Sequence, residues 1–176
     1  MKLRFALTAL LIPFALLSAQ AAEEEFAQKT ISIGMVVSDL EKSMSFYKDV
    51  VGMVQVDRTS FDVDAEFAKK SGLTDGIELH IQVLKLGKGE EATQLKLMTF
   101  GDKPKKQENE YLHSHTGVQY LTFMVAELEP ILERIKEHKV KLLGECPIPL
   151  GPDRAFVLIQ DPDGTFVELI GPMKKK

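Results

Sequence analysis

The chain has a single cysteine, Cys146, in 176 residues, so no internal disulfide can staple the fold and no thiol pair can run redox exchange. No His or Lys adjoins Cys146, which reads it as a small apolar residue rather than a reactive thiol. An excess of positive charge is also lacking: 22 Lys and Arg stand against 26 Asp and Glu, a balance that argues against nucleic acid as a partner. No Ser-His-Asp ordering, phosphate-binding glycine loop or redox cysteine pair is present. Long apolar runs are scarce as well. The longest, Phe5–Leu17, is interrupted by Pro13 and falls short of the roughly 20 residues that cross a bilayer.

That run has a different meaning. Lys2 and Arg4 precede it and Ala19-Gln20-Ala21 follows it, which is the order of a secretory signal peptide spanning residues 1–21. The mature chain is then expected to begin near Ala22 with 20 basic and 26 acidic residues, a formal charge of −6. It is expected to be exported, periplasmic or secreted, with no membrane association after cleavage and no cysteine at the cleavage site to carry a lipid. At 44% hydrophobic residues it is too apolar to be disordered, and one ordinary domain is expected.

After a short N-terminal segment, residues 22–29, Thr30–Val37 is β-rich and runs into Ser38-Asp39-Leu40-Glu41, a strand followed by a helix cap. Leu40, Met44, Tyr47 and Val51 recur at helical spacing and Gly52 ends the helix. Met53–Arg58, Ile77–Leu86 and Thr93–Phe100 read as strands, with a short helix at Asp64–Lys70. The same order returns: a strand at Val118–Val125, a helix carrying Leu128, Ile131, Leu132 and Ile135 on one face, then strands at Val140–Leu143, Ala155–Gln160 and Thr165–Ile170. Val37-Ser-Asp-Leu-Glu41 and Val125-Ala-Glu-Leu-Glu129 match at an offset of 88 residues. The pattern is two βαβββ units, 30–100 and 111–171, inside one α+β domain at 30–173, with the polar linker 101–110 between them and a basic tail at 174–176. Units of about 70 residues are too small to bury a core independently, so their sheets are expected to associate around a shared concavity, where a ligand would bind.

Val36-Val37-Ser38-Asp39-Leu40-Glu41-Lys42-Ser43, followed by Phe46-Tyr47-Lys48-Asp49-Val50-Val51-Gly52-Met53, together with Asp161-Pro162-Asp163-Gly164-Thr165-Phe166-Val167-Glu168-Leu169, resembles the vicinal oxygen chelate superfamily. That group includes glyoxalase I, extradiol dioxygenases and the bleomycin-resistance proteins, so the resemblance implies a fold without choosing a reaction. In its metal-using members, side chains from the first and last strands of each unit, usually His and Glu, hold a divalent ion that polarises two neighbouring oxygens of a substrate. Carried onto this chain, the four positions are Ser32, Lys96, Tyr120 and Glu168. Only Glu168 is an ordinary ligand for such an ion, and Lys96 brings a positive charge to the spot the cation would take. A register slip of two residues would put Gln94 or Met98 there instead.

The expectation is a superfamily member that binds a small organic molecule through Ser32, Lys96, Tyr120 and Glu168, with no cofactor, Lys96 taking the metal's place and pairing with Glu168. One alternative is a metal-dependent lyase, isomerase or dioxygenase using Glu168 with His80, His113 or His115. In that alternative His113 and His115, two residues apart, would share one face of a strand. The other is an exported interaction module with no ligand. Ser60–Gly76 reads as a lid or a small capping helix over the cavity, and association with a second copy of the chain is expected.

Overall fold

The computed structural model describes residues 25–101, 104–106 and 108–174, and the expected signal peptide lies outside them. Strand β1 (Ser32–Val36) leads into helix α1 (Leu40–Ser45), which continues as a π-helical turn over Phe46–Val51. Then follow β2 (Val54–Val63), α2 (Ala65–Lys70), β3 (Leu79–Lys85) and β4 (Gln94–Phe100). The second unit has β5 (Tyr120–Met124), α3 (Glu129–Glu137), β6 (Ile148–Leu150), β7 (Arg154–Gln160) and β8 (Phe166–Pro172). Each unit forms a four-stranded sheet, ordered β1-β4-β3-β2 in sheet A and β5-β8-β7-β6 in sheet B. The first and last strands of each unit run parallel and the other neighbours antiparallel. This is the expected pair of βαβββ units.

Two of the helices form where the sequence supplies side-chain caps, whereas α3 begins at Leu128 without one. The Asp39 side chain accepts the Lys42 N–H and the Asp64 side chain accepts the Phe67 N–H, each satisfying a first-turn donor that has no partner inside its helix. Gly52, at φ 98°, terminates the π turn in a conformation that costs a side-chain-bearing residue energy. Its N–H and that of Met53 both reach the Tyr47 carbonyl. The wider π spacing sets Phe46, Tyr47, Val50 and Val51 all into the core, more than a single α-helical stripe would bury.

Two expectations are corrected. Val140–Leu143 is not a strand; its third-strand role falls to Ile148–Leu150. The Val140 N–H closes on Ile135 at the end of α3 and Leu143 makes one bond to Leu158, while Val140 and Leu142 pack on the core. Their alternation therefore records burial without a ladder. Strand β2 also runs on to Val63, so only the later part of Ser60–Gly76 leaves the sheet. The pairing with β3 shifts register between Gln55 and Ser60 and then resumes through Val63.

The helix-facing sides of both sheets share one core, from Val37, Leu84, Leu95 and Leu97 in the first unit to Leu121, Phe123, Val157 and Leu169 in the second. Polar ties cross between the units at its margin. Arg134 on α3 donates from Nε to the Val50 carbonyl at 2.9 Å, and Ser38 donates from both its backbone N–H and its hydroxyl to Asp163. The fully buried Tyr47 hydroxyl donates to Asp161 Oδ2 at 2.8 Å. Asp161 is 5% exposed, and burial raises its pKa above the usual carboxylate value, against the pull of hydrogen bonds from Tyr47 and from the Thr165 and Asp163 N–H groups. Burial, with Asp161 alongside, drives the Tyr47 phenol well above its ordinary range.

Tyr47→Phe removes a donor from a buried acidic group and is expected to cost about 2 kcal/mol in urea denaturation at pH 7. Because the folded-state pKa of Asp161 is raised, the proton it holds stabilises the native state in acid, and that contribution is lost as pH rises through the folded pKa. The stability advantage of wild type over Asp161→Asn is therefore expected to shrink between pH 4 and pH 7, as read by denaturation midpoints.

Candidate functional site

Residues paired in register share a face of a sheet, and alternate residues of a strand point to opposite faces. On the face of sheet A turned away from the helices, the rows are Ser32–Gln94–Lys85, Gly34–Lys96–Val83 and Val36–Met98–Ile81. On the matching face of sheet B they are Tyr120–Phe166–Gln160, Thr122–Glu168–Leu158 and Met124–Ile170–Phe156. All four expected site residues, Ser32, Lys96, Tyr120 and Glu168, therefore lie on the faces opposite the shared core. Lys96 and Glu168 hold corresponding rows, so the unslipped register is the one observed.

The contacts differ from the expected ion pair. Ser32 donates its hydroxyl to Gln94 Oε1 at 3.4 Å, and Glu168 accepts the hydroxyl of Thr122, its row neighbour on β5. Among the described residues Lys96 and Glu168 form no salt bridge with each other. Sequence reasoning missed Thr122 because a threonine in a β-rich run carries no signal until the β5–β8 register is known.

The two faces are covered unequally. On sheet A, α2 packs down so that Ala68 is fully buried with Leu79, Ile81 and Val83, and Val63, Met98 and Phe100 close around them. Residues 65–70 are thus the small capping helix expected within Ser60–Gly76. Among the described residues sheet B has no capping helix, although Phe166 in its first row is fully buried and Gln160 beside it donates to the Asn109 carbonyl of the linker. Its face carries Tyr120 at 49% and Met124 at 62% exposure, Ile148 and Leu150 at the β6 edge, and half-buried Phe156, Leu158 and Ile170. An apolar tray this size with one carboxylate at its middle is unusual on a solvated surface.

A family model described as the Glyoxalase/Bleomycin resistance protein/Dioxygenase superfamily matches residues 29–169. The chain belongs to that superfamily. Its fold is similar to a glyoxalase family protein from Bacillus cereus, at TM-score 0.66 and 17% identity over 85% of this chain and 96% of that one. It is also similar to a glyoxalase I mutant from Zea mays, at TM-score 0.62 and 18% identity over 88% of this chain. A trypanothione-dependent glyoxalase I from Leishmania major follows at TM-score 0.52 and 20% identity over 82% of this chain and 87% of that one. The match covers 51% of the maize chain, so this protein spans about half its length. At these identities the likeness is one of fold. No curated protein matches the chain.

The divalent ion used by many superfamily members does not fit this donor set. The four positions offer one carboxylate, one ammonium, a serine already bonded to Gln94 and a tyrosine, and a cation beside Lys96 would meet like charge. Among the described residues no three His, Cys, Asp or Glu side chains gather into a group that could hold a metal. The histidines of the metal-dependent alternative do not supply the deficit. His80 sits in the row of Asp62 and Thr99 on the helix-facing side of sheet A, with Nδ1 2.6 Å from Asp62 Oδ1, opposite to the Lys96 face. His113 and His115 lie in an exposed loop rather than on a strand. His113 stacks on Tyr111 at 5.6 Å, and His115 Nε2 lies 3.2 Å from the Glu108 carbonyl.

Two of the clefts lie away from the four expected site residues. One of 230 Å³, where the units meet, is lined by Val36, Ser38, Lys105, Lys106 and Asp163 among others. The other, a groove of 730 Å³ between α3 and the β6–β7 turn, is walled by Leu132, Pro147, Pro149 and Met173. Neither is lined by any of the four expected site residues.

The registers give a direct check. Ser32→His, Lys96→Glu and Tyr120→His combined with native Glu168 would restore two imidazoles and two carboxylates at corresponding positions. The triple variant is expected to bind one Ni²⁺ or Zn²⁺ per chain with a Kd of about 1 μM or tighter by calorimetry, a stoichiometry that wild type should not reach.

Proposed function

We propose that this protein is an exported, metal-independent member of the superfamily that binds a small, largely apolar organic molecule carrying an anionic or carbonyl oxygen. The ligand lies on the uncovered face of sheet B, with Lys96 offering a positive charge to its oxygen and Glu168 accepting a hydrogen bond. The observation that carries this reading is the contrast between the two faces: α2 seals Leu79, Ile81 and Val83 on one, while Tyr120 and Met124 stand exposed around Glu168 on the other.

Magnitudes separate the roles. Covering about 150 Å² of apolar surface contributes about 4 kcal/mol, whereas a partly solvated ammonium contributes about 1 kcal/mol to an anion. The apolar rows therefore set affinity, and Lys96 sets orientation and the preference for a negative or carbonyl oxygen. The chain's own groups can bind and orient such a ligand; no step through a metal is required.

The test uses 8-anilinonaphthalene-1-sulfonate, an aromatic anion whose fluorescence rises on apolar surfaces, with the mature chain. Met124→Glu, a change at an exposed position, is expected to weaken binding at least 30-fold and Lys96→Met about tenfold, with affinity unchanged by EDTA. Binding indifferent to Met124→Glu, or no binding at all, would contradict the reading and favour an interaction module. Stoichiometric Zn²⁺, Ni²⁺, Fe²⁺ or Mn²⁺ in the purified protein, lost with Glu168→Ala, would instead establish the metal-dependent lyase, isomerase or dioxygenase. Periplasmic fractionation of the full chain tests export.

A further inference from the structure

The second unit carries a further concavity that the strand-face site does not use. The 730 Å³ groove between α3 and the β6–β7 turn adjoins another of 660 Å³ at the start of α3, and Glu129, Pro152, Asp153, Met173 and Lys174 line both. Each is large enough for a small organic molecule. Three hydrogen bonds tie the walls together: the Leu128 N–H donates to the Pro172 carbonyl at 3.0 Å, the Met173 N–H to the Asp153 carbonyl at 3.1 Å, and the Lys174 N–H to Glu129 Oε1 at 2.6 Å. The concavity is therefore built by the fold itself, which spares a ligand the cost of ordering it.

The lining selects by chemistry. Leu132 and Met173 are half-buried hydrocarbon, and Pro147, Pro149, Pro152 and Pro172 on these walls are half of the chain's 8 prolines. Proline has no N–H, so at those four positions the backbone offers acceptors and no donors. Carboxylates from Glu127, Glu129, Glu133 and Asp153 outnumber the two cations, Arg154 and Lys174. The bond from the Lys174 N–H lowers the pKa of Glu129 and keeps it ionised. Glu127, Glu133 and Asp153 come from the loop before α3, from α3 and from the β6–β7 turn, and none of them is in an ion pair among the described residues. The dipole of α3 accounts for acids at its first turn, but not for Glu133 or Asp153.

We propose that this groove is a second binding site, for an amphiphilic organic amine. The hydrocarbon body of the monocation lies against Leu132, Met173 and the prolines, and its ammonium donates to the carboxylates. An anion would meet an excess of like charge and find no backbone donors at the prolines. The site is opposite in charge preference to the strand-face site and does not depend on it.

The experiment titrates the isotope-labelled mature chain with 2-naphthylmethylammonium and, separately, with 2-naphthylmethanol, which has the same ring and no charge. Amide shifts are expected on residues 129–133, 151–154 and 173–174. The ammonium is expected to bind at least fivefold more tightly than the alcohol. The combined change Glu127→Gln, Glu133→Gln and Asp153→Asn, all at exposed positions, is expected to abolish that preference while the spectrum stays that of the folded chain. An ammonium no tighter than the alcohol, or a preference that survives the triple change, would overturn the proposal. Shifts confined to residues 120–124 and 168–170 would overturn it as well and leave the strand-face site standing.

Discussion

The shared core on the helix side of the two sheets is the constraint from which the remaining features follow. Neither unit has enough apolar surface to fold alone, so Leu84, Leu95 and Leu97 of one sheet and Leu121, Val157 and Leu169 of the other are buried in a single cluster with Tyr47, Val50, Ile131 and Ile135. Burying one face of each sheet this way commits the opposite faces to the outside, because side chains alternate along every strand. The buried Tyr47–Asp161 bond and the Ser38–Asp163 pair then fix the β7–β8 turn of the second unit against the first, so the outward faces keep a set relation to each other.

What those faces do is decided by the differences between two units built on one plan. The first unit inserts α2 and uses it to seal its own outward face; the second has a short β6 and leaves its face open. At the corresponding central rows, one unit presents a lysine beside a glycine and the other a glutamate beside a threonine. The two units thus differ at these central rows in charge as well as in cover. A protein that had merely lost a metal site would not need to keep Tyr120, Met124, Ile148 and Leu150 exposed to water, since exposed apolar area of this kind invites association and is retained where something covers it.

Much of this was legible in the sequence, for identifiable reasons. The matching strand-to-helix junctions at Ser38–Glu41 and Ala126–Glu129 revealed the repeat, and the turn at Asp161–Gly164 the closing hairpin, although only the first junction carries a side-chain cap. The assignment of Lys96 and Glu168 to the last strand of each unit agrees with their places in β4 and β8. Other features resisted. The Val140–Leu143 run has strand-like alternation yet folds as an irregular segment, since its apolar residues are claimed by the core and its backbone partners by α3 and a single bond to Leu158. The π turn at Phe46–Val51 and the Thr122–Glu168 bond depend on tertiary register, which local pattern does not encode. His80 looked available because its facing is set by the β3 register alone.

The account stands or falls on where a ligand sits. The most direct measurement is amide chemical-shift mapping of the isotope-labelled mature chain titrated with 2-naphthoate, a flat apolar carboxylate. Shifts concentrated on residues 120–124, 156–158 and 168–170, with a smaller set around Lys96, are the expected result. Shifts concentrated instead along α3 and residues 151–154, beside the groove walled by Leu132 and Met173, would contradict it and move the binding function to the opposite side of sheet B.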